Sequence, residues 1–299
     1  MKILVGNNKL AKLGGSETYT YALVGELVRQ GHQVDCIASG MPGIVSNRIK
    51  DDFGVITRFR PTTAGYDLVL LSHKTSIELA RNVQGFKIQT CHGVHHPLER
   101  PVPGMDAYVA VSDEVAEGLK NQGYSASVIY NGVDCDRFYP MTNDTRDDLQ
   151  FVLSLAHSDE ANQMIHEACD MLGCTLQVLN KYKSAVWEVE YLINQADMVI
   201  SLGRGVYEAA ACGRNVVIFD YRPYMGKEAI GDGYVTPEVF PLYMKNNCSG
   251  RYTKKIFNAE ILKGEMARYD SFNGELLREF AMKHLNIKNQ VQKYLDLVR

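Results

Sequence analysis

Ser201-Leu-Gly-Arg-Gly-Val-Tyr-Glu-Ala-Ala-Ala-Cys-Gly213 joins one apolar run, residues 197–201, to another, residues 215–219, through a helical stretch at 206–212. A strand that gives way at paired glycines to a helix, and then to another strand, is a βαβ crossover. Such units build parallel sheets whose ligands sit at the carboxyl ends of the strands. Gly203 and Gly205 flank Arg204 at that turn. The unpaired N–H groups and positive dipole of a helix start favour a diphosphate, and a guanidinium adds a charge-assisted contact. Glu208 lies one turn inside the helix, where a carboxylate can accept from two ribose hydroxyls. The same residues also make a tight turn with a surface arginine and a first-turn glutamate favoured by the dipole, so this stretch alone leaves both readings open.

Working outward, the pattern repeats. Residues 150–155 and 175–179 read as strands around a helix at 160–172, and 187–195 as a short helix. In the first half, strands are expected at 2–6, 34–38, 67–72, 87–91, 107–111 and 127–130. The run Asp67-Leu-Val-Leu-Leu-Ser72 is nearly all apolar, as in a strand buried on both faces. Residues 16–29 carry Tyr19, Ala22, Leu23 and Leu27 at helical spacing, and Ser112 is placed to N-cap a helix at 113–122. The polar stretch 140–148 reads as a linker. The expected architecture is α/β: two Rossmann-like, doubly wound parallel-sheet domains, 1–140 and 149–272, joined by 141–148. An amphipathic tail, 273–299, is expected to pack across their boundary. Residues 222–270 read only as aromatic-rich loops.

A second glycine-bearing loop runs from Gly6 through Gly14 and Gly15 to Glu17, again from a strand into a helix. The dinucleotide fingerprint G-x-G-x-x-G is absent, because Asn8 and Ala11 stand where glycines are needed, and this disfavours a nicotinamide dehydrogenase. An ordinary βα turn is the alternative.

With 299 residues, 45% apolar, the chain can bury a core for two domains. Its formal net charge of −3 gives no global basic field for nucleic acid or anionic membrane, although a local basic patch is compatible with that average. Seven scattered cysteines without C-x-x-C pairs are neither a disulfide framework nor a zinc site. The first residues read as a strand rather than a signal peptide. No apolar run is long enough to span a bilayer, so a cytoplasmic location is expected. Cys91, His92, His95 and His96 could contact a metal, but the loop around Pro97 offers no regular ligand geometry, and no metal is expected. Arg251, Lys254, Lys255, Lys263 and Arg268 are interspersed with apolar and acidic residues and read as a solvated face.

Several stretches, in order, resemble the retaining GT-B glycosyltransferases of the family 4 type. Gly14-Gly-Ser-Glu17 followed by Gly31-His-Gln-Val34 is similar to the family's G-G-x-E … G-H-E-V opening, and Cys91-His-Gly-Val94 to its H-G segment. Ala110-Val-Ser112 resembles its strand ending in serine. Val128-Ile-Tyr-Asn-Gly-Val-Asp134, with Arg137-Phe138, resembles the V-I-x-N-G-V-D … F end of the first domain. Gln195-Ala-Asp-Met-Val199 and Glu208-Ala-Ala-Ala-Cys-Gly-Arg-Asn-Val-Val217 resemble x-A-D-V-x and E-A-M-A-C-G-x-P-V-V.

The resemblance implies a fold of two domains facing across a cleft. It implies transfer of a sugar from a UDP-, GDP- or ADP-sugar co-substrate with retention and without metal, cofactor or protein nucleophile. Gly14 and Gly15 would lie near the sugar phosphate or acceptor, with Glu17 beside them, and His92 beside the transferred sugar. Asn131 and Asp134 would shape the cleft entry. Gly203, Gly205, Val206 and Tyr207 would cap the diphosphate, Glu208 would hold the ribose, and Arg204 would act near the donor. The acceptor, whether glycan, lipid, small molecule or nucleic acid, is not named.

Two departures stand out. Ile200 replaces the first glutamate of the family's E-x7-E pair, leaving a short G-R-G-x-x-E form. The usual Arg…Lys pair after the second domain's first strand is missing, and Lys181, Lys183 or Arg204 is expected to supply that charge. The departures motivate one alternative, a nucleotide-sugar-binding module that has lost turnover; a further one, a transferase acting on modified nucleic-acid bases, suits the compact length, although the sequence shows no dedicated DNA-binding motif.

Overall fold

The apolar runs form strands in the computed structural model, which describes residues 1–94, 96–141, 146–183, 185–222 and 228–298. His95 and residues 142–145 of the expected linker lie outside them. The chain divides into two compact units: Met1–Asp134 with the chain from Ile287 onward, and Cys135–Asn286.

The first unit runs β1 (Lys2–Asn7), α1 (Gly15–Arg29), β2 (Gln33–Ala38), α2 (Ile44–Phe53), β3 (Thr57–Arg58), β4 (Gly65–Leu71), α3 (Lys74–Leu79), β5 (Gln84–Cys91), β6 (Ala107–Ala110), α4 (Asp113–Lys120) and β7 (Ser127–Val128). The strands form one parallel sheet in the order β3-β2-β1-β4-β5-β6-β7. Leu4, Ile37, Val69 and Leu71 pack under Ile77 and Val83 in its core. Ser112 caps α4 by accepting from Val115 N at 3.3 Å, with Asp113 and Glu114 in the first turn; such a cap contributes about 1 kcal/mol. The strand order reverses between β1 and β4, which opens a crevice at their carboxyl ends.

The second unit runs β8 (Phe151–Ser154), α5 (Asp159–Leu172), β9 (Thr175–Val178), α6 (Val189–Gln195), β10 (Met198–Ser201), α7 (Arg204–Ala211), β11 (Asn215–Asp220), β12 (Ile230–Tyr234), α8 (Phe240–Met244), β13 (Lys255–Ile256), α9 (Ala259–Met266) and α10 (Asn273–His284). The sheet order is β13-β12-β11-β10-β8-β9. Strands β8 to β11 are parallel, while β12 and β13 return antiparallel. Strands thus form within 222–270, where the sequence reads only as loops. The buried Asp232 carboxylate ties that return together by accepting from Gly250 N and Thr253 N, each at 2.8 Å. Here the order reverses between β8 and β10, giving a second crevice.

The tail contributes to both units. Helix α10 packs on α7, and Arg278 donates to Ala211 O (2.6 Å) and Phe138 O (2.7 Å). This sets a cation at the negative end of the α7 dipole. The last helix, α11 (Ile287–Asp296), belongs to the first unit: it packs on α1, and Tyr294 Oη lies 2.9 Å from Thr90 Oγ1. Among the described residues no helix is long and apolar enough to cross a membrane.

Candidate functional site

In the second unit the crevice is framed by the start of α7, the loop after β8, and the ends of β9 and β11. Helix α7 begins at Arg204, two residues before the helical stretch legible in the sequence, because Gly203 turns the chain as its N-cap at φ +58, a conformation that favours glycine. A Cβ on Gly205 would collide with Ser201 Oγ and crowd Leu155, so the missing side chain lets the helix start press onto the strand ends. Arg204 and Glu208 do not stand as two separate ligands: Arg204 Nε donates to Glu208 Oε1 at 3.0 Å, with both side chains buried. Val206 and Tyr207 point into the core, Tyr207 against Phe240, so what they can offer a ligand is backbone.

Opposite α7 across the reversal lies His157, in the loop after β8. Burial first, and then the positive charges of Lys181 and Arg222, push its imidazole down to about 4. Its Nδ1 is buried without a hydrogen-bond partner among the described residues. Asn180 Nδ2 donates to His157 O (2.9 Å), and the Tyr182 ring stands edge-on at 5.5 Å. Lys181 Nζ lies over the Tyr182 ring at 5.2 Å. Asp220, at the end of β11, has its carboxyl raised by burial, and Arg222 Nε lies 4.0 Å from it. Of the cations the sequence offers for the missing pair, Lys183 pairs with Asp159 at 2.6 Å and Arg204 with Glu208, and Lys181 lies close enough to His157 for its charge to act on the imidazole. His157 and Arg222 are not legible as site residues in the sequence. Their one signal is position, just past the carboxyl ends of two parallel strands.

The crevice of the first unit holds different chemistry. Asn7 fastens the start of α1 by donating from Nδ2 to Thr20 Oγ1 (2.7 Å) and Ser16 O (3.1 Å). The Glu17 carboxylate folds back over Gly14 and accepts from Ser16 Oγ at 3.0 Å, whereas Gly15 faces open space. His92, just past β5, lies 3.3 Å from Ser72 Oγ, edge-on to Tyr19 at 5.4 Å and stacked on His73 at 6.0 Å. His73 is buried and pushed down to about 4, by desolvation first and His96 second. Its Nε2 lies 4.0 Å from Glu99 Oε1. Glu99 lies against Gly93, with its carboxyl raised chiefly by burial and also by Glu17. His73 and Glu99 therefore join His92 and Glu17 in one cluster, which the sequence does not reveal.

Asn131 and Asp134 stand apart from that cluster. Both are buried; Asp134 accepts from Arg29 at 3.0 Å, and Asn131 Oδ1 has no partner among the described residues. The segment between them packs on α11, with Ile287 N donating to Val133 O. Of the histidine cluster, His96 accepts from Leu98 N, and burial pushes the Cys91 thiol up to about 12. Among the described residues no group of histidine, cysteine and carboxylate side chains could hold a metal.

No protein-family model matches the sequence, and no curated protein is significantly similar to it. Solved structures are similar over the whole chain. The Anabaena protein HepE in complex with UDP and glucose shares 13% identity at a TM-score of 0.64, covering 99% of this chain and 98% of that one. AviGT4, a glycosyltransferase involved in avilamycin A biosynthesis, shares 13% at 0.61, covering 100% and 97%. An alpha-glucosyltransferase in complex with UDP and DNA containing an HMU base shares 11% at 0.62, covering 100% and 99%. The fold is that of the GT-B glycosyltransferases. At these identities the likeness is one of fold, and the chemistry has to be argued from the side chains.

Each unit of this GT-B chain presents one such chemistry. The second gathers Lys181, Arg222, the His157 imidazole and the start of α7, a set suited to an anion. The first gathers imidazoles, hydroxyls and carboxylates, a set suited to hydroxyl groups and protons.

Proposed function

We propose that the chain transfers a sugar from a nucleoside-diphosphate sugar to an acceptor, with retention and without metal. The observation that carries this is the convergence of Lys181, Arg222, His157 and the α7 start at the switch point of the second sheet. The similar structures that hold UDP lend support at the level of fold. In the proposed site the diphosphate lies against these groups, and Glu208, held by Arg204, turns toward the ribose. The C1–O bond to the diphosphate breaks and the electron pair leaves with it. The acceptor oxygen bonds C1 on the same face, and its proton passes to the diphosphate. Lys181, Arg222 and the α7 dipole offset the charge that develops, the type of stabilisation that contributes most in enzymes. In the first unit, His92 and the cluster around His73 and Glu99 offer groups suited to hydroxyls.

The test is turnover. The full chain is mixed with UDP-, GDP- and ADP-sugars in EDTA, and NMR follows nucleotide release and the anomer formed, with water as the fallback acceptor. Release with a retained anomer supports the proposal. An inverted anomer overturns retention, and dependence on added magnesium overturns the metal-free step. Nucleotide binding without any sugar release would leave a binding module.

A further inference from the structure

The carboxyl edge of the first sheet carries a feature that sugar transfer does not use. Lys9 and Lys12 lie in the loop after β1 and Met41 in the loop after β2. Arg58, Phe59 and Arg60 lie at and just past the end of β3, and Lys74 opens α3 after β4. These four strands are neighbours in the sheet. Arg58 is in register with Ile37, so Phe59 and Arg60 stand one strand spacing, about 5 Å, from the residues leading to Met41. The loops are fastened to one another: Ile44 N donates to Ala11 O and Ser46 N to Leu10 O, each at 3.0 Å, and Thr75 Oγ1 donates to Asn8 Oδ1 at 2.8 Å.

All five cations are exposed, and none forms an ion pair with a described residue. Several cations of the second unit are paired instead: Lys255 and Arg268 with Glu265, Lys263 with Glu260 and Lys183 with Asp159. Glu17 and Glu99, the carboxylates of the first crevice, are turned to Ser16 and His73. Met41 is 82% exposed and Phe59 57%. The chain as a whole is net acidic, so this edge is a local reversal of its charge.

We propose that this edge docks a nucleic acid. From β3 to β4 it spans three strand spacings, roughly 14 Å. A duplex presents a phosphate on each strand about every 3.4 Å of axis, so the arc meets about four phosphates of one strand, comparable to the five cations. Phe59 offers an exposed ring on which an unpaired base stacks. An anionic membrane attracts the same charges, but stable seating there needs a continuous apolar face, and here Met41 and Phe59 only flank the cations. The docking is independent of the glycosyl-transfer proposal; that the docked nucleic acid is the sugar acceptor rests on it.

The test titrates the full chain with fluorescent duplex and single-stranded DNA, and with vesicles containing phosphatidylserine, across a range of salt. About four neutralised phosphates give a slope of log affinity on log salt between about −2.8 and −3.6, a loss of roughly 50- to 150-fold from 50 to 200 mM. Lys12→Ala with Arg60→Ala flattens that slope by about 2, one per charge removed, while melting temperature and nucleotide binding stay as in the wild type. The proposal is overturned by failure to bind either DNA at low salt, by an unchanged slope in the double variant, or by binding to vesicles but not to DNA. DNA binding with no binding of any nucleoside diphosphate would keep the docking surface and sink the glycosyl-transfer reading.

Discussion

The two crevices arise in the same way, where the strand order of a parallel sheet reverses, yet they hold opposite chemistry. At the first, His73 is buried and neutral near pH 7, and Glu99 has its carboxyl raised. At the second, Lys181 and Arg222 are close enough to depress His157 by their charge, and the start of a helix joins them. The fold provides two places, and the loop residues decide what each can hold. On the proposed reading the anionic leaving group belongs to the second and the hydroxyl-bearing partner to the first.

The largest effect expected on folding comes from the pair that anchors the second crevice. Glu208→Ala takes the carboxylate away from the buried Arg204 guanidinium, and breaking such a pair costs about 3–5 kcal/mol. Replacing both by apolar residues of similar volume restores most of that stability while still weakening nucleotide binding. Urea unfolding separates the two variants. A Glu208→Ala protein as stable as the wild type would mean that the pair does not hold α7.

The histidine of the first crevice predicts an acid effect. His73 titrates near 6.5 when unfolded and is pushed down to about 4 when folded. Between those values the unfolded chain binds the proton, so stability falls as pH drops, by up to about 3 kcal/mol. Glu99 opposes this, because a raised carboxyl takes up its proton in the folded state first. His73→Gln is therefore expected to flatten the loss of melting temperature between pH 7 and 4. An equally steep loss in the variant would remove His73 as its source.

Gly205→Ala sharpens the comparison on a smaller scale. In an open helix, alanine in place of glycine gains about 1 kcal/mol. Here the Cβ meets Ser201 Oγ, and overpacking costs about 1–3 kcal/mol, so calorimetry is expected to show a lower melting temperature. A higher one would mean that α7 does not press on the strand ends. The smallest effect is the most diagnostic of the division: His92→Ala is expected to lower turnover and leave nucleotide affinity unchanged. Loss of nucleotide binding in that variant would erase the distinction between the crevices.

The parallel sheets were legible because their strands are near-continuous apolar runs, such as Asp67-Leu-Val-Leu-Leu-Ser72, and a helix that closes them carries the cap Ser112. Helix α2 was hidden because its buried side is only Val45, Ser46 and Ile49. Strands β12 and β13 were hidden by glycines and charges: their order depends on Asp232 reaching Gly250 and Thr253, a long-range pairing with no local pattern. In the second crevice the glycines and Arg204 announced the turn, but the ion pair to Glu208 needed the helix to start two residues earlier than it reads. His157, Lys181 and Arg222 come from three separate loops, and His73 and Glu99 from two more, so only the folded chain brings them together.

The most direct measurement is calorimetric titration of the full chain with UDP, GDP and ADP in EDTA, repeated on Lys181→Ala with Arg222→Ala. The expected result is that one nucleoside diphosphate binds without metal. Each charged contact is worth about 1.5–3 kcal/mol, so the double variant should lose roughly 100-fold or more in affinity at an unchanged melting temperature. No binding of any of the three, or equal binding to the double variant, would contradict it.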